Sequence, residues 1–62
     1  MKTTVKLDGY SSIVIQPEKG SVSLSLLMGG IPLKTQLLTL DQCGAILSGI
    51  EQAAAVAGGV ML

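Results

Sequence analysis

No histidine, arginine, asparagine, tryptophan or phenylalanine occurs in these 62 residues, and Tyr10 is the one aromatic side chain. Without histidine the chain lacks the most common general base and a principal metal ligand. Cys43 is the only cysteine, so no disulfide can form within the chain. The four carboxylates, Asp8, Glu18, Asp41 and Glu51, are scattered without ligand spacing, so no metal-ligating set is expected. Charge is scarce as well. Charged residues make up 13% of the chain, about half the usual share. The four lysines, Lys2, Lys6, Lys19 and Lys34, balance the four acids to a net charge of zero. A chain of this kind has neither the basic surplus nor the aromatic stacking platforms that hold single-stranded nucleic acid.

These absences exclude most catalysis. A cysteine nucleophile needs an activating base, and Cys43 falls on the apolar stripe of a helix, where packing explains it. Gly29-Gly30 follows a strand but precedes another, so it marks a hairpin and not a phosphate loop. Gly58-Gly59 ends a helix, whereas anion sites form at helix starts. No catalytic, cofactor-binding or metal residue is expected, and the chain reads as no enzyme.

The residues that remain are aliphatic. Leu, Ile, Val, Ala and Met dominate a hydrophobic content of 48%. High apolar content with few charges argues against disorder. It also implies that part of the surface is apolar and therefore contacted. One domain of 62 residues is marginal unless a disulfide, a metal or an oligomer supports it. With the first two set aside, self-association is the expected support. The N-terminal residues carry no apolar signal segment. The apolar run from Cys43 to Leu62 has Glu51-Gln52 at its centre, a charge that would cost about 2.5 kcal/mol or more at mid-bilayer. Membrane activity, prompted by Ala53–Leu62, is the third choice, and a free cysteine suits the cytoplasm.

Four strand-like runs come first, about 3–7, 10–16, 21–28 and 31–38, separated by turn signals at Asp8-Gly9, Pro17-Glu18-Lys19-Gly20 and Gly29-Gly30. A two-residue loop at Gly29-Gly30 pairs Met28 with Ile31, Leu26 with Leu33, Leu24 with Thr35 and Val22 with Leu37. A four-residue loop at 17–20 pairs Ile15 with Val22 and Ile13 with Leu24. Opposed residues share a face, so one face is aliphatic. The other carries Ser23 and Ser25 beside Lys34 and Gln36, with Leu27 and Leu38 as apolar exceptions. For the first hairpin, a two-residue Asp8-Gly9 loop would turn Val5 away from Ile13. A three-residue loop over Asp8-Gly9-Tyr10 pairs the two and is preferred.

A helix over about 40–57 follows. Thr39 and Gln42 form a capping box, and Asp41 complements the dipole in the first turn. Leu40, Cys43, Leu47 and Ile50 recur at helical spacing, with Ile46 alongside. Gly58-Gly59 supplies a left-handed stop. A second stripe of small residues, Ala45, Gly49 and Ala53, runs with Val56 beside it. A mid-helix glycine costs about 1 kcal/mol relative to alanine, so Gly49 needs a reason. Either another helix approaches closely there, or the small residues let this helix lie close on its own sheet. The first is preferred, which makes Ala45, Gly49, Ala53 and Val56 the expected oligomer interface.

Four strands and then a helix, entered through Leu38-Thr39-Leu40-Asp41-Gln42, resembles the PC4-like single-stranded-DNA-binding family. The resemblance covers residues 3–57 as an order of elements. It implies a dimer paired through helices and a nucleic-acid surface on the strands. Taken together, the residues predict an α+β fold: a four-stranded antiparallel meander with one C-terminal helix, as a homodimer or larger. The expected function is that of a small regulatory or accessory protein, of the kind found in phages and mobile elements. It would act by binding another macromolecule, chiefly protein, with Ser23, Ser25, Lys34 and Gln36 as the outer binding surface. The alternative is single-stranded nucleic-acid binding on that same surface.

Overall fold

Alternating polar and aliphatic residues, punctuated by glycine turns, build one antiparallel sheet in the computed structural model, which describes residues 1–59. The strands are β1 (Thr3–Lys6), β2 (Ser11–Glu18), β3 (Ser21–Met28) and β4 (Ile31–Thr39), followed by helix α1 (Leu40–Ala57). They lie in the order β1-β2-β3-β4, a meander. The α+β arrangement and the element bounds are those expected, to within two residues at each end. The apolar tail Val60-Met61-Leu62 lies outside the described residues.

The first hairpin takes the three-residue loop. Leu7 donates its N–H to the Ser11 carbonyl at 2.9 Å, and Val5 pairs with Ile13. The Asp8 carboxylate ties the loop down by accepting the backbone N–H groups of Tyr10 and Ser11, each at 2.7 Å. These bonds favour the charged form, and the Tyr10 N–H, with Ser11 second, holds the Asp8 carboxyl below its ordinary pKa.

The second hairpin differs from expectation. Pro17 and Glu18 belong to β2, so the loop is only Lys19-Gly20. Gly20, at φ 77°, takes the left-handed position of that turn. Ile13 therefore pairs with Leu26 and Ile15 with Leu24, two residues from the expected partners. An even shift leaves every side chain on its expected face. Pro17 is tolerated because β1 pairs no further along β2 than Ile15, which leaves that side of β2 open.

The third hairpin turns at Gly29-Gly30, both at positive φ (61° and 81°), the mirror-image turn that matches strand twist. Met28 pairs with Ile31 and Leu27 with Pro32, as expected, but Leu26 then pairs with Lys34. Leu33 is the extra residue of a β-bulge. One extra residue inverts the alternation of everything after it. Lys34, Gln36 and Leu38 face the same side as Leu26, Leu24 and Val22, while Thr35 and Leu37 join Ser25 and Ser23 on the other. The expected pairs Leu26–Leu33, Leu24–Thr35 and Val22–Leu37 are corrected accordingly.

Helix α1 starts where the capping box predicts. Gln42 donates its backbone N–H to Thr39 Oγ1 at 3.1 Å, and Thr39 donates to Gln42 Oε1 at 2.9 Å. A cap of this kind is worth about 1 kcal/mol. At the other end Gly59 takes the left-handed conformation (φ 76°) and donates to the Val56 carbonyl.

Candidate interaction cleft

The bulge and the β4–α1 junction together decide what the apolar side chains meet. Val5, Ile13, Ile15, Val22, Leu24 and Leu38 form one sheet face. The helix presents Cys43, Ile46, Leu47 and Ile50 towards it, residues within one arc at about 100° per residue. Between the two layers lies a cleft of about 370 Å³, lined by those ten residues. The same face continues past the helix into a hollow of about 270 Å³ lined by Ile13, Leu24, Leu26, Lys34 and Gln36.

The helix does not close on this floor. Its Cα trace comes within 8 Å of β3 and β4 but not of β1 or β2. Leu47 and Ile50, which point at the sheet, stay 60% and 61% exposed. Among the described residues none is buried, apolar or polar. The first five residues of β2 and of β3 are half-buried, and nearly every residue of β4 and α1 is exposed. The cleft is thus a core with one wall missing. Its walls can exclude water around a large apolar insertion, and Cys43 is the one lining residue that carries an ionisable group. Among the described residues no cluster of three or more potential metal ligands occurs.

The expected outer surface is only half assembled. Ser23 and Ser25 do lie on the face away from the helix, where Ser25 Oγ shares a 2.9 Å hydrogen bond with Thr35 Oγ1. Lys34 and Gln36 do not join them. The Leu33 bulge carries both to the helix side, at the rim of the smaller hollow. Leu37, 58% exposed, takes a place on the outer face, and Leu38 moves inward. Pro32 was the available signal, since proline in a strand collects at edges and bulges.

Ala45, Gly49, Ala53 and Val56 fall on the flank of α1, roughly 120° round the helix from the ridge that lines the cleft. A Cβ added at Gly49 would meet nothing within 4 Å. Close packing of the helix on its own sheet therefore does not account for that glycine. The residues that sequence reasoning assigned to an internal core, Leu47 and Ile50 above all, are the ones the fold leaves uncovered. The signal for this was the width of the apolar sector, more than one sheet face could cover. Among the described residues no helix is long and apolar enough to cross a membrane. Family models, curated proteins and solved structures yield no match to this chain.

Proposed function

We propose that this chain is a small non-enzymatic accessory protein that acts by protein–protein contact and works as a homo-oligomer. One observation carries the reading: among the described residues the apolar faces of sheet and helix look at each other across an open cleft, and nothing is buried. Exposed, contiguous apolar surface of this extent is the mark of an interaction site. The charge pattern supports protein over nucleic acid. Lys34, the one lysine of the expected outer surface, sits on the opposite face, which leaves Lys6 as the one strand lysine on the Ser23–Ser25 side. In this reading the cytoplasm is the site of action, and the partner beyond the chain itself is another protein, as for accessory proteins of phages and mobile elements.

The test has two arms. Sedimentation equilibrium at micromolar concentration should give an oligomer, and a fully folded monomer would overturn the reading. Titration with a single-stranded oligonucleotide should show no submicromolar binding at physiological salt. A tight, steeply salt-dependent complex that Lys34→Ala weakens would put single-stranded nucleic-acid binding in its place.

A further inference from the structure

We infer that the missing wall of the cleft is a second copy of this chain, seated helix-first on the inner sheet face, and that neither copy completes its fold alone. The inference rests on the self-association proposed above and adds to it the interface and the coupling to folding.

The first support is area. A folded monomer of 6.3 kDa should expose about 3,700 Å². This chain exposes 4890 Å², a surplus of roughly 1,200 Å². If each of two copies buried that surplus, the interface would total about 2,400 Å², within the range of obligate homodimers. The radius of gyration agrees. It is 13.4 Å, whereas about 10.6 Å is expected of a closed domain this long. The excess is surface that a closed chain of this size would have covered.

The second support is self-complementarity. A two-fold interface needs one surface that fits its own copy. This chain carries both parts: an exposed ridge of Leu47 and Ile50, and a floor of half-buried Ile13 and Leu24 running on to the exposed Leu26, over which its own helix does not close. The ridge belongs to an 18-residue helix, about 27 Å long. The strands of eight and nine residues it would cross are of the same length. The third support is the lack of charge. The cleft lining holds no ionisable group but the Cys43 thiol, and the adjoining hollow only Lys34, whose stem can lie on apolar surface with its ammonium in water. Recognition of a foreign partner draws specificity from placed charge. This lining has almost none, which suits a copy whose matching shape is supplied by the same sequence.

The experiment compares the intact chain with two variants. The intact chain should sediment as a dimer, and its thermal midpoint should fall on dilution of about a hundredfold, because folding and association are one equilibrium. Ile50→Asp places an unpaired carboxylate in the interface and should weaken the dimer by about a hundredfold or more, with loss of helical circular dichroism at the same dilution. Leu37→Asp, on the outer face, should leave both the dimer and its midpoint in place. A sample mixed from isotope-labelled and unlabelled chains should show magnetisation transfer between chains, from Ile50 methyls to those of Ile13, Leu24 or Leu26. A dimer that survives Ile50→Asp but falls apart in Leu37→Asp would overturn this interface while leaving self-association intact. A folded monomer whose midpoint ignores concentration would overturn both.

Discussion

The β2–β3 pair and the β4–α1 unit are both well made locally and differ in how much of each is covered. β2 and β3 have neighbours on both sides in the sheet, and the first five residues of each, 11–15 and 21–25, are half-buried. β4 has a free edge, α1 touches only the end of the sheet to which it is joined, and nearly every residue of both is exposed. Yet the second unit has the better local signals: a mirror-image glycine turn, a complete capping box and a glycine stop. Local hydrogen bonding and capping thus shape an element without burying it. Tertiary cover does most of the stabilising of a helix in a folded protein, and here a single chain does not provide it.

The comparison can be broken most sharply at Leu24, which faces the cleft from the well-covered half. Leu24→Ala should lower stability by about 2–5 kcal/mol, the usual cost of a large-to-small change in a filled core. Ser23→Ala, on the other face, should stay within about 0.5 kcal/mol. Urea titrations of both variants decide it. A small loss at Leu24 would mean that the cleft stays open in solution.

Gly49→Leu probes the exposed half. Leucine favours helix over glycine by several tenths of a kcal/mol, and the single chain leaves room for it. If a partner helix approaches that flank, the larger side chain costs about 1–3 kcal/mol at each contact. The expected outcome is a weaker oligomer on sizing across a dilution series. A variant that keeps its size and melts higher would confine the interface to the ridge of Leu47 and Ile50.

Gly29→Ala tests what joins the halves. Gly29 donates its N–H to the Tyr10 carbonyl at 2.8 Å, and a Cβ there would stand 2.8 Å from Tyr10 Cε1. The β1–β2 loop thereby rests on the β3–β4 turn. The left-handed backbone (φ 61°) and the displaced ring together should cost about 1–3 kcal/mol. Gly30→Ala, where the backbone is also left-handed (φ 81°) but nothing lies near, should cost only the backbone share, about 1–2 kcal/mol. Equal losses in thermal melts would show that the Tyr10 ring swings aside freely.

The smallest effect concerns acid. The Asp8 carboxyl titrates below its ordinary value in the folded chain, chiefly through the Tyr10 N–H. A depressed carboxyl contributes stability that is full above the unfolded value and is lost as pH falls through the folded one. Unfolding midpoints taken downward from about pH 5 should decline, and Asp8→Asn should flatten that decline. An unchanged acid limb in the variant would assign it to other groups.

The comparison also separates what the residues announced from what they concealed. Turn chemistry announced the hairpins. Asp8-Gly9 and Gly29-Gly30 marked two of them, and Thr39 with Gln42 marked the helix start to the residue. The loop at 17–20 was read too long because Pro17 is rare in strands, yet the error was even and cost no face. The bulge was different. Leu33 continues the alternation well enough that nothing but Pro32 hinted at an interruption, so Lys34, Gln36, Leu37 and Leu38 were all assigned to the wrong side. In the candidate site, Ser23 and Ser25 were legible because they precede the bulge. The uncovered ridge was legible only as a surplus of apolar residues, since periodicity shows which face is apolar and not what covers it.

The Leu33 bulge gives β4 a property usually associated with coding sequences, a reading frame. Everything from Lys34 to the helix entry is in phase with the cleft only because one residue is set out of count. Drawing Leu33 back into the ladder opposite Leu26 would restore an unbroken zigzag and turn Leu37 inward and Leu38 outward, whereas deleting Leu33 would leave every later pair as it is. The helix, joined directly at Leu40, would inherit the half-turn in the first case and keep its side of the sheet in the second. Substitutions in this strand therefore act one side chain at a time, whereas taking up the bulge with Leu33 kept acts on which side of the molecule its ridge will be.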